Sequence, residues 1–417
     1  MDLSELISKN RNGVRIGLPS FCTANKNVIE AIFDYATPRQ LPVLIEATCN
    51  QVNQEGGYTG MTPAEFAAWL ARLGQDAEMP EENIWLGGDH LGPNAWRHES
   101  AESAMAKAEV MVRQYVQAGF TKIHLDASMA CGGEPLPSFE EVAHRAARLC
   151  KTAEDAAPNP DALVYVVGTE VPVPGGETEE IAGLQVTTPE RLDETVTTHR
   201  DAFLEAGVGQ AWDRVVSVVT QPGVDFSHSS VHRFDPGAAR ALVAAIDQID
   251  SLTFEGHSTD YQPTESLAEL VERHVFFLKV GPELTFRFRE AVFALAATEE
   301  RLYPANASGI IRALDHAMDA NPADWAAYYS GSPEEQNLLR HFSLSDRIRY
   351  YWQDPAVQGA LERLFRNLSA ASIPPGLVSQ HFGNLDFEDI CDDPRALCTR
   401  SIQRTIARYY TACGLVQ

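Results

Sequence analysis

The chain has 417 residues, with 33 Lys+Arg against 58 Asp+Glu and a formal net charge of −25. A chain this acidic repels phosphate backbones and anionic bilayers, so the composition argues against a nucleic-acid partner and a membrane partner. Hydrophobic residues make up 44% and charged residues 22%, which is typical of a globular protein with a large core.

Targeting and redox features also favour a cytoplasmic protein. Apolar runs such as residues 291–297 are far shorter than the roughly 18 to 20 residues that span a bilayer. The N-terminus, MDLSELISKNRNG, lacks the apolar centre of a secretory signal. The seven cysteines include no C-x-x-C pair, which is typical of reduced thiols.

Short β-rich runs recur through the first 280 residues, and helically spaced apolar residues separate them. One such helix is predicted to begin with Thr62 as N-cap and Pro63 as its first residue. The predicted strands cover residues 14–21, 43–50, 83–90, 122–128, 163–171, 214–223, 252–258 and 276–281.

Eight strand-helix units in strict alternation predict an α/β fold with parallel strands. The count favours a closed (β/α)₈ TIM barrel over a flavodoxin-like or Rossmann sheet with a second domain. The first predicted strand is followed by no G-x-G-x-x-G, and no loop resembles a P-loop, so we expect no nucleotide cofactor. Beyond residue 300 only helical patterns remain. We therefore predict a barrel over 1–300 and a helical C-terminal extension over 301–417.

Polar residues at the carboxyl ends of the predicted strands are the candidate site, because a (β/α)₈ barrel builds its active site on that rim. So many charges on one rim would repel each other unless cations or protons were present, and a divalent metal is the most economical compensation. The rim residues are Glu46, Asn50, Gln51, Asp89, His90, His124, Asp126, Glu170, Gln221, His257, Asp260 and Lys279.

A metal site is predicted from the two rim imidazoles, His90 and His257. Glu170 and Gln221 would complete a nitrogen and oxygen shell that leaves a position for substrate. Zn²⁺ is the expected ion, with Mn²⁺ and Ni²⁺ as alternatives. His124 lies inside a strand, and we expect it to be packed rather than a ligand.

Four carboxylates are the candidate catalytic groups. Asp89 would act as general acid or base beside the metal, or alternatively would orient His90. Asp126 and Asp260 could transfer protons, but a lone Asp at a strand end is often only a helix N-cap. Glu46 lies in an apolar strand, where an unpaired carboxylate costs several kcal/mol, so we expect it at the mouth of the site, holding substrate hydroxyls.

Asn50, Gln51 and Lys279 are the expected substrate-binding residues. A barrel lysine could instead form a Schiff base, but neighbouring carboxylates should raise the pKa of Lys279 and favour an ion pair. The loops at 53–62 and 172–177 each contain two adjacent glycines. They could close over a ligand, and ordinary turn chemistry explains them equally well.

Several strings resemble the family of the tagatose-bisphosphate aldolase accessory subunit over essentially the whole chain. They are IEATCNQVNQEGGYTGMTP, GGDHLGPNAW, AGFTKIHLDASMAC, VVGTEVPVPGG, FEGHSTDYQ, LKVGPELTF and SLSDRIRYYW. That family is related to the class II, metal-dependent ketose-bisphosphate aldolases, which have a (β/α)₈ fold. The resemblance implies that Asp89 is a proton donor and that His90, Glu170 and His257 are metal-binding residues.

Two departures from the aldolase pattern bear on the substrate. Gln221 stands where an aldolase has another metal-binding His. Asp260 lies where an aldolase has a Gly/Ser-rich phosphate cradle after His257, and its charge would repel a phosphate. The first departure bears on the identity of the metal, and the second favours an unphosphorylated or singly phosphorylated sugar.

The resemblance implies two functions. Members are usually described as non-catalytic partners of a class II aldolase subunit, and some are similar to 4-epimerases that act on tagatose and fructose. Such an epimerase would break C3–C4 by retro-aldol cleavage, rotate the aldehyde and re-form the bond without nicotinamide. The polar rim favours the epimerase, and a sugar-binding protein without chemistry is a weaker alternative. The expected partners are a sugar or sugar phosphate, an aldolase subunit and a second copy of this chain.

Overall fold

The computed structural model describes residues 3–169, 184–249, 251–370, 372–383 and 393–416. Eight parallel strands close into a barrel in chain order, with the last strand paired to the first. The strands are β1 (Leu18–Cys22), β2 (Val43–Thr48), β3 (Ile84–Leu91), β4 (Lys122–Leu125), β5 (Val164–Val167), β6 (Val215–Thr220), β7 (Thr253–Gly256) and β8 (Val275–Val280). Each overlaps its predicted segment, so the (β/α)₈ prediction is confirmed and the open-sheet alternative is wrong.

Helices surround the barrel, and a two-stranded antiparallel hairpin (Asp225–Phe226 with Val231–His232) follows β6. No helix within the described residues has both the length and the apolar character needed to cross a bilayer. The helices are α1 (Leu3–Arg11), α2 (Lys26–Ala36), α3 (Pro63–Asp76), α4 (Ala101–Gln117), α5 (Phe139–Ala156), α6 (Pro189–Glu205), α7 (Arg240–Ile246), α8 (Thr264–Val271), α9 (Pro282–Leu302), α10 (Ile310–Ala320), α11 (Pro333–Phe342), α12 (Pro355–Ser369), α13 (Pro375–Phe382) and α14 (Pro394–Ala412).

Helix α3 illustrates how local signals set the boundaries of these elements. Thr62 accepts a hydrogen bond from the Glu65 backbone N–H, and the Glu65 carboxylate accepts one from the Thr62 N–H. This capping box begins the helix where the sequence predicts. Phe66, Leu70 and Leu73, spaced four and three residues apart, form the buried face that packs on the barrel.

The C-terminal part of the chain is helical, as predicted, and packs into the barrel wall. Helix α14 lies against α2, α8 and α9. The hydroxyl of Tyr409 donates to the Thr259 carbonyl and that of Tyr410 to the Pro42 carbonyl, both at 2.8 Å. One hydrophobic cluster includes residues of the barrel and of the extension. A domain boundary at residue 300 stays a prediction.

Candidate metal centre

A local irregularity in β3 turns two adjacent side chains toward the barrel interior. In a regular strand, neighbours such as Asp89 and His90 point to opposite faces. Here the register with β4 shifts between Gly88 and Leu91, and His90 has a φ of 48°. A residue other than glycine in this conformation costs about 1 kcal/mol or more, and such strain is concentrated at functional sites. The irregularity therefore identifies this point of the barrel as a candidate site.

Four buried side chains form a cluster at the carboxyl ends of β3, β4 and β7. Asp89, His90, His124 and His257 each offer one ligand atom, and these atoms lie within 4.8 Å of one another. The three imidazole centroids are 4.9 to 5.2 Å apart. None of the four residues is more than 5% exposed. One carboxylate and three imidazoles suit Zn²⁺ and similar divalent ions.

Carboxylates behind the cluster orient two of the imidazoles. His90 Nδ1 lies 2.7 Å from Asp126 Oδ2, which leaves Nε2 for the cluster. His257 Nε2 lies 2.9 Å from Glu255 Oε1, which leaves Nδ1. Such contacts fix the tautomer and raise the basicity of a metal-ligating histidine. The structure thus gives Asp126 an orienting position and adds Glu255, which the sequence analysis did not identify.

His124 is part of the cluster, which corrects the expectation that it is merely packed. Its Nδ1 lies 2.9 Å from Asp89 Oδ1, and its buried Nε2 has no hydrogen-bond partner among the residues that the structure describes. An unpaired buried polar atom is rare and calls for a partner. A metal ion would supply that partner, so the residues present fit a divalent metal. Side chains alternate between the two faces of a strand, so the segment KIHLDAS places His124 and Asp126 on the same side at the end of β4. This alternation could have indicated that His124 faces the cluster.

Opposite charges in the cluster shift its pKa values. Burial alone would raise the pKa of Asp89, but His90 and the other two imidazoles hold that pKa well below its usual range. Burial opposes protonation of His90, yet Asp89 and Asp126 raise the pKa of His90 to about 9. Burial lowers the pKa of His257. The cluster therefore attracts positive charge, either a proton on His90 or a bound cation.

Glu46 lies beneath the cluster and not at the mouth of the site, where the sequence analysis expects it. It is fully buried, and Glu46 Oε1 lies 2.5 Å from the Lys122 ammonium. Lys122 also lies 2.6 Å from Glu255 Oε2. Gly87 leaves room for this carboxylate, because a Cβ there would lie 2.8 Å from Glu46 Cγ. Lys122, a lysine in an apolar strand, compensates the charge of Glu46 inside the barrel. The sequence analysis does not identify this residue.

Lys279 lines the cavity above the cluster and contacts both Glu46 and Asp89, the latter at 2.8 Å. The ion pair expected from the sequence is therefore present. The expected direction of its pKa shift is wrong, because burial lowers the pKa of Lys279 to about 7.

The two amide side chains predicted to bind substrate both line this cavity. Gln51 is partly committed, since its Oε1 accepts a hydrogen bond from the Thr48 backbone N–H at 2.8 Å. Asn50 is exposed at the cavity edge.

Asp260 also lines the cavity, and it caps a helix. Its carboxylate accepts from the backbone N–H groups of Gly281 at 3.1 Å and Glu283 at 2.8 Å, at the start of α9. Burial raises the pKa of Asp260 to about 7. The N-cap alternative is therefore wrong as stated, since the helix that follows Asp260, α8, has Pro263 as its N-cap and the Asp260 carboxylate reaches α9 instead. There it occupies the position at the helix N-terminus that an anion would otherwise favour.

Gln221, a predicted ligand, is engaged in a turn and is not part of the cluster. The Gln221 Oε1 atom accepts from the backbone N–H groups of Gly223 and Val224 at 2.9 and 3.0 Å, which closes the turn after β6. Glu170 and the loop at 172–177 lie outside the described residues.

The cavity above the cluster has a volume of about 430 Å³ and is roofed by the C-terminal extension. The roof residues, which sequence reasoning missed, belong to the SLSDRIRYYW segment and its surroundings. The ring of Tyr58, from the loop at 53–62, meets Tyr350 of the roof edge-on at 4.8 Å. The roof is lined by Asp324, Tyr328, Arg347, Arg349, Tyr350 and Trp352.

Fold and site together define a (β/α)₈-barrel protein with a candidate metal centre at the carboxyl ends of its strands. Residues 3–414 match the family described as D-tagatose-1,6-bisphosphate aldolase subunit GatZ/KbaZ-like, and the chain belongs to that family. The resemblance inferred from the sequence motifs is therefore confirmed.

The chain is similar to several solved structures, to different degrees. A probable tagatose 6 phosphate kinase from Sinorhizobium meliloti 1021 is 44% identical, with a TM-score of 0.88 over 95% of this chain and 100% of that chain. The YdjI aldolase from Escherichia coli K12 is 14% identical, with a TM-score of 0.42 over 89% and 99% of the two chains. The fructose-bisphosphate aldolase from Campylobacter jejuni is 14% identical, with a TM-score of 0.45 over 88% and 92%.

Proposed function

We propose that this chain is a metal-dependent 4-epimerase of a ketohexose or ketohexose phosphate. The observation that supports it is the cluster of Asp89, His90, His124 and His257, whose ligand atoms lie within 4.8 Å of one another beside a cavity of about 430 Å³. A divalent metal held there would supply Lewis acidity for negative charge on the ketose oxygens.

The chain's own carboxylates would move the protons. A base removes the C4 hydroxyl proton while the C3–C4 bond breaks, and the electron pair of that bond passes to the three-carbon enediolate fragment. The aldehyde at C4 rotates, the bond re-forms on its other face, and the proton returns to O4. The reaction consumes no oxidant or reductant.

Asp89 and Asp260 suit these roles because their environments separate their pKa values. The imidazoles keep Asp89 ionised and able to accept a proton. Burial raises the pKa of Asp260 to about 7, so a proton is available there near neutral pH. We assign Asp126 the task of holding His90, with which it forms a hydrogen bond.

A second candidate is favoured by the family description: a subunit that supports a class II tagatose-bisphosphate aldolase. In that case the cluster could bind metal without turnover, and the measurable property would be the activity or stability of the added aldolase subunit.

The test uses the purified chain with Zn²⁺, Mn²⁺ or Ni²⁺, supplied with D-fructose, D-tagatose and their phosphates. We expect metal-dependent conversion that EDTA abolishes and that His257→Ala removes. The matched control is His199→Ala, since His199 is fully buried on α6 and lies outside the cluster. Bound metal without conversion, together with stimulation of an added aldolase, would favour the subunit role.

A further inference from the structure

We propose that the cavity takes a ketose with an anionic terminal group, a phosphate monoester or a carboxylate, held by Arg347 and Arg349 of the roof. The inference rests on the proposed function in one respect: the reacting carbons of the sugar lie at the cluster. It adds the chemical class of the substrate and a binding role for the C-terminal extension.

Both arginines line the cavity, and Arg347 is only 4% exposed. Within the described ranges, neither guanidinium has a carboxylate oxygen within 4.0 Å. Buried arginines in proteins are almost always paired with an anion. A buried arginine, Arg347, and a partly buried one, Arg349, that face one cavity in a chain of net charge −25 therefore need an explanation.

Neutral groups make the direct contacts to the two side chains, whereas the carboxylates of Asp324 and Asp346 interact with them only through their charge, without a salt bridge. Arg347 Nε donates to the Asp324 carbonyl, and its guanidinium lies 3.4 Å from the Tyr328 ring centroid. Arg349 donates to the Asp346 carbonyl at 2.9 Å and to the Tyr350 hydroxyl at 2.8 Å. These contacts orient planar donors for bidentate recognition of a phosphate or carboxylate.

The charge layout sets the direction of the ligand. Asp89 and the imidazoles occupy the floor, and the Cys22 thiol lies 3.5 Å from Asp89 Oδ2. Arg349 is close enough to Cys22 for its charge to oppose the rise of the thiol pKa. A ketose with its reacting carbons on the floor would thus direct a terminal group to the roof. Asp260 already occupies the N-terminus of α9, so that helix offers the anion no alternative site.

Asp324 is the acidic residue on the roof side of the cavity, and burial raises its pKa. The charges of Arg347 and Arg349 oppose that rise, so Asp324 balances part of their charge, but it forms no salt bridge with either and leaves both guanidinium groups available to a ligand.

The test is calorimetric binding of neutral ketohexoses, their 6-phosphates and the corresponding ketohexuronates to the metal-loaded chain. We compare wild type with Arg349→Met, Arg349→Lys and the control Arg39→Met. Arg39 stacks on Tyr35 at 4.0 Å and does not line the cavity, so it matches the stacking of Arg349 on Tyr350. Thermal unfolding confirms that each variant folds.

We expect an anionic ketose to bind about tenfold or more tightly than its neutral counterpart. Arg349→Met should weaken binding of the anionic ketose far more than that of its neutral counterpart and so remove most of that preference. Arg349→Lys should keep part of the preference, and Arg39→Met should keep all of it. The phosphate and carboxylate arms identify which anion is bound.

Equal affinity for neutral and anionic sugars, or an Arg349→Met variant that weakens both alike, would overturn the inference. Anion preference without turnover would support it while contradicting the epimerase. Turnover of neutral sugars without anion preference would support the epimerase and overturn the inference.

Discussion

The Nδ1 atom of His90 lies 2.7 Å from the carboxylate of Asp126, which in turn accepts from the backbone N–H of Ser128 at 3.0 Å and from its hydroxyl at 2.6 Å. This chain of contacts fixes the His90 ring and leaves its Nε2 facing the cluster. Adjacent strands, β3 and β4, thus supply a candidate ligand and the group that holds it.

Asp126→Asn should weaken metal binding about 10- to 100-fold, because loss of the carboxylate lets the His90 ring turn and lowers its basicity. Chelator competition with Zn²⁺ measures the effect. Asp201→Asn, at an exposed position on α6, is the control and should bind as wild type. Unchanged affinity in Asp126→Asn would contradict the orienting role.

His124→Ala should lose metal, because it removes a buried Nε2 atom that has no partner within the described part of the chain. His199→Ala should be destabilised to a comparable degree but retain metal, since His199 is equally buried elsewhere. Metal content by atomic absorption, after dialysis of both variants, separates the two cases. A full complement in His124→Ala would remove His124 from the ligand set.

Lys122→Met should lower the free energy of unfolding by about 3 to 5 kcal/mol, because it removes the ammonium group that, together with Lys279, compensates the buried carboxylates of Glu46 and Glu255. Adding Glu46→Gln should recover part of the loss. Urea denaturation provides the measurement. Lys151→Met is the surface control, because the Lys151 side chain, on α5, is 53% exposed. An equal effect in the two lysine variants would contradict a structural role for Lys122.

Titration of Asp260 should lower the free energy of unfolding as the pH rises from 3.8, the ordinary pKa of an aspartate, to about 7, its pKa in the folded chain. In that window the unfolded chain has released the proton and the folded chain retains it, so the slope of unfolding free energy with pH is negative. Asp260→Asn removes this contribution while its amide oxygen still accepts hydrogen bonds. The variant should therefore gain stability relative to wild type between pH 5 and pH 8, measured by urea denaturation. A difference in unfolding free energy between the variant and wild type that does not change with pH would contradict the raised pKa of Asp260.

The sequence predicts the barrel and part of the cluster because both follow from periodicity. Once eight parallel strands close, Asp89, His90 and His257 must share one rim, whatever their separation in sequence. The sequence does not indicate that His124 belongs to the cluster, because its role depends on the register between β3 and β4, which a single strand does not reveal. The sequence analysis expects Glu46 at the mouth of the site because its compensating partner, Lys122, lies on another strand.

The roof of the cavity could not be predicted from local patterns. Arg347 and Arg349 lie in an irregular segment whose position is set by how the extension packs on the barrel, and this packing depends on contacts far apart in sequence. Nothing in the periodicity of a helical extension indicates which end of the barrel it covers.

The most direct test of the central claim is turnover of the chain alone in D₂O, followed by ¹H NMR with added divalent metal. The account predicts interconversion at C4, abolished by EDTA, in which the hydrogens on C3 and C4 are retained because only the C3–C4 bond is broken and re-formed. Absence of C4 inversion in a chain that has bound its metal would contradict the epimerase and leave the aldolase-subunit role.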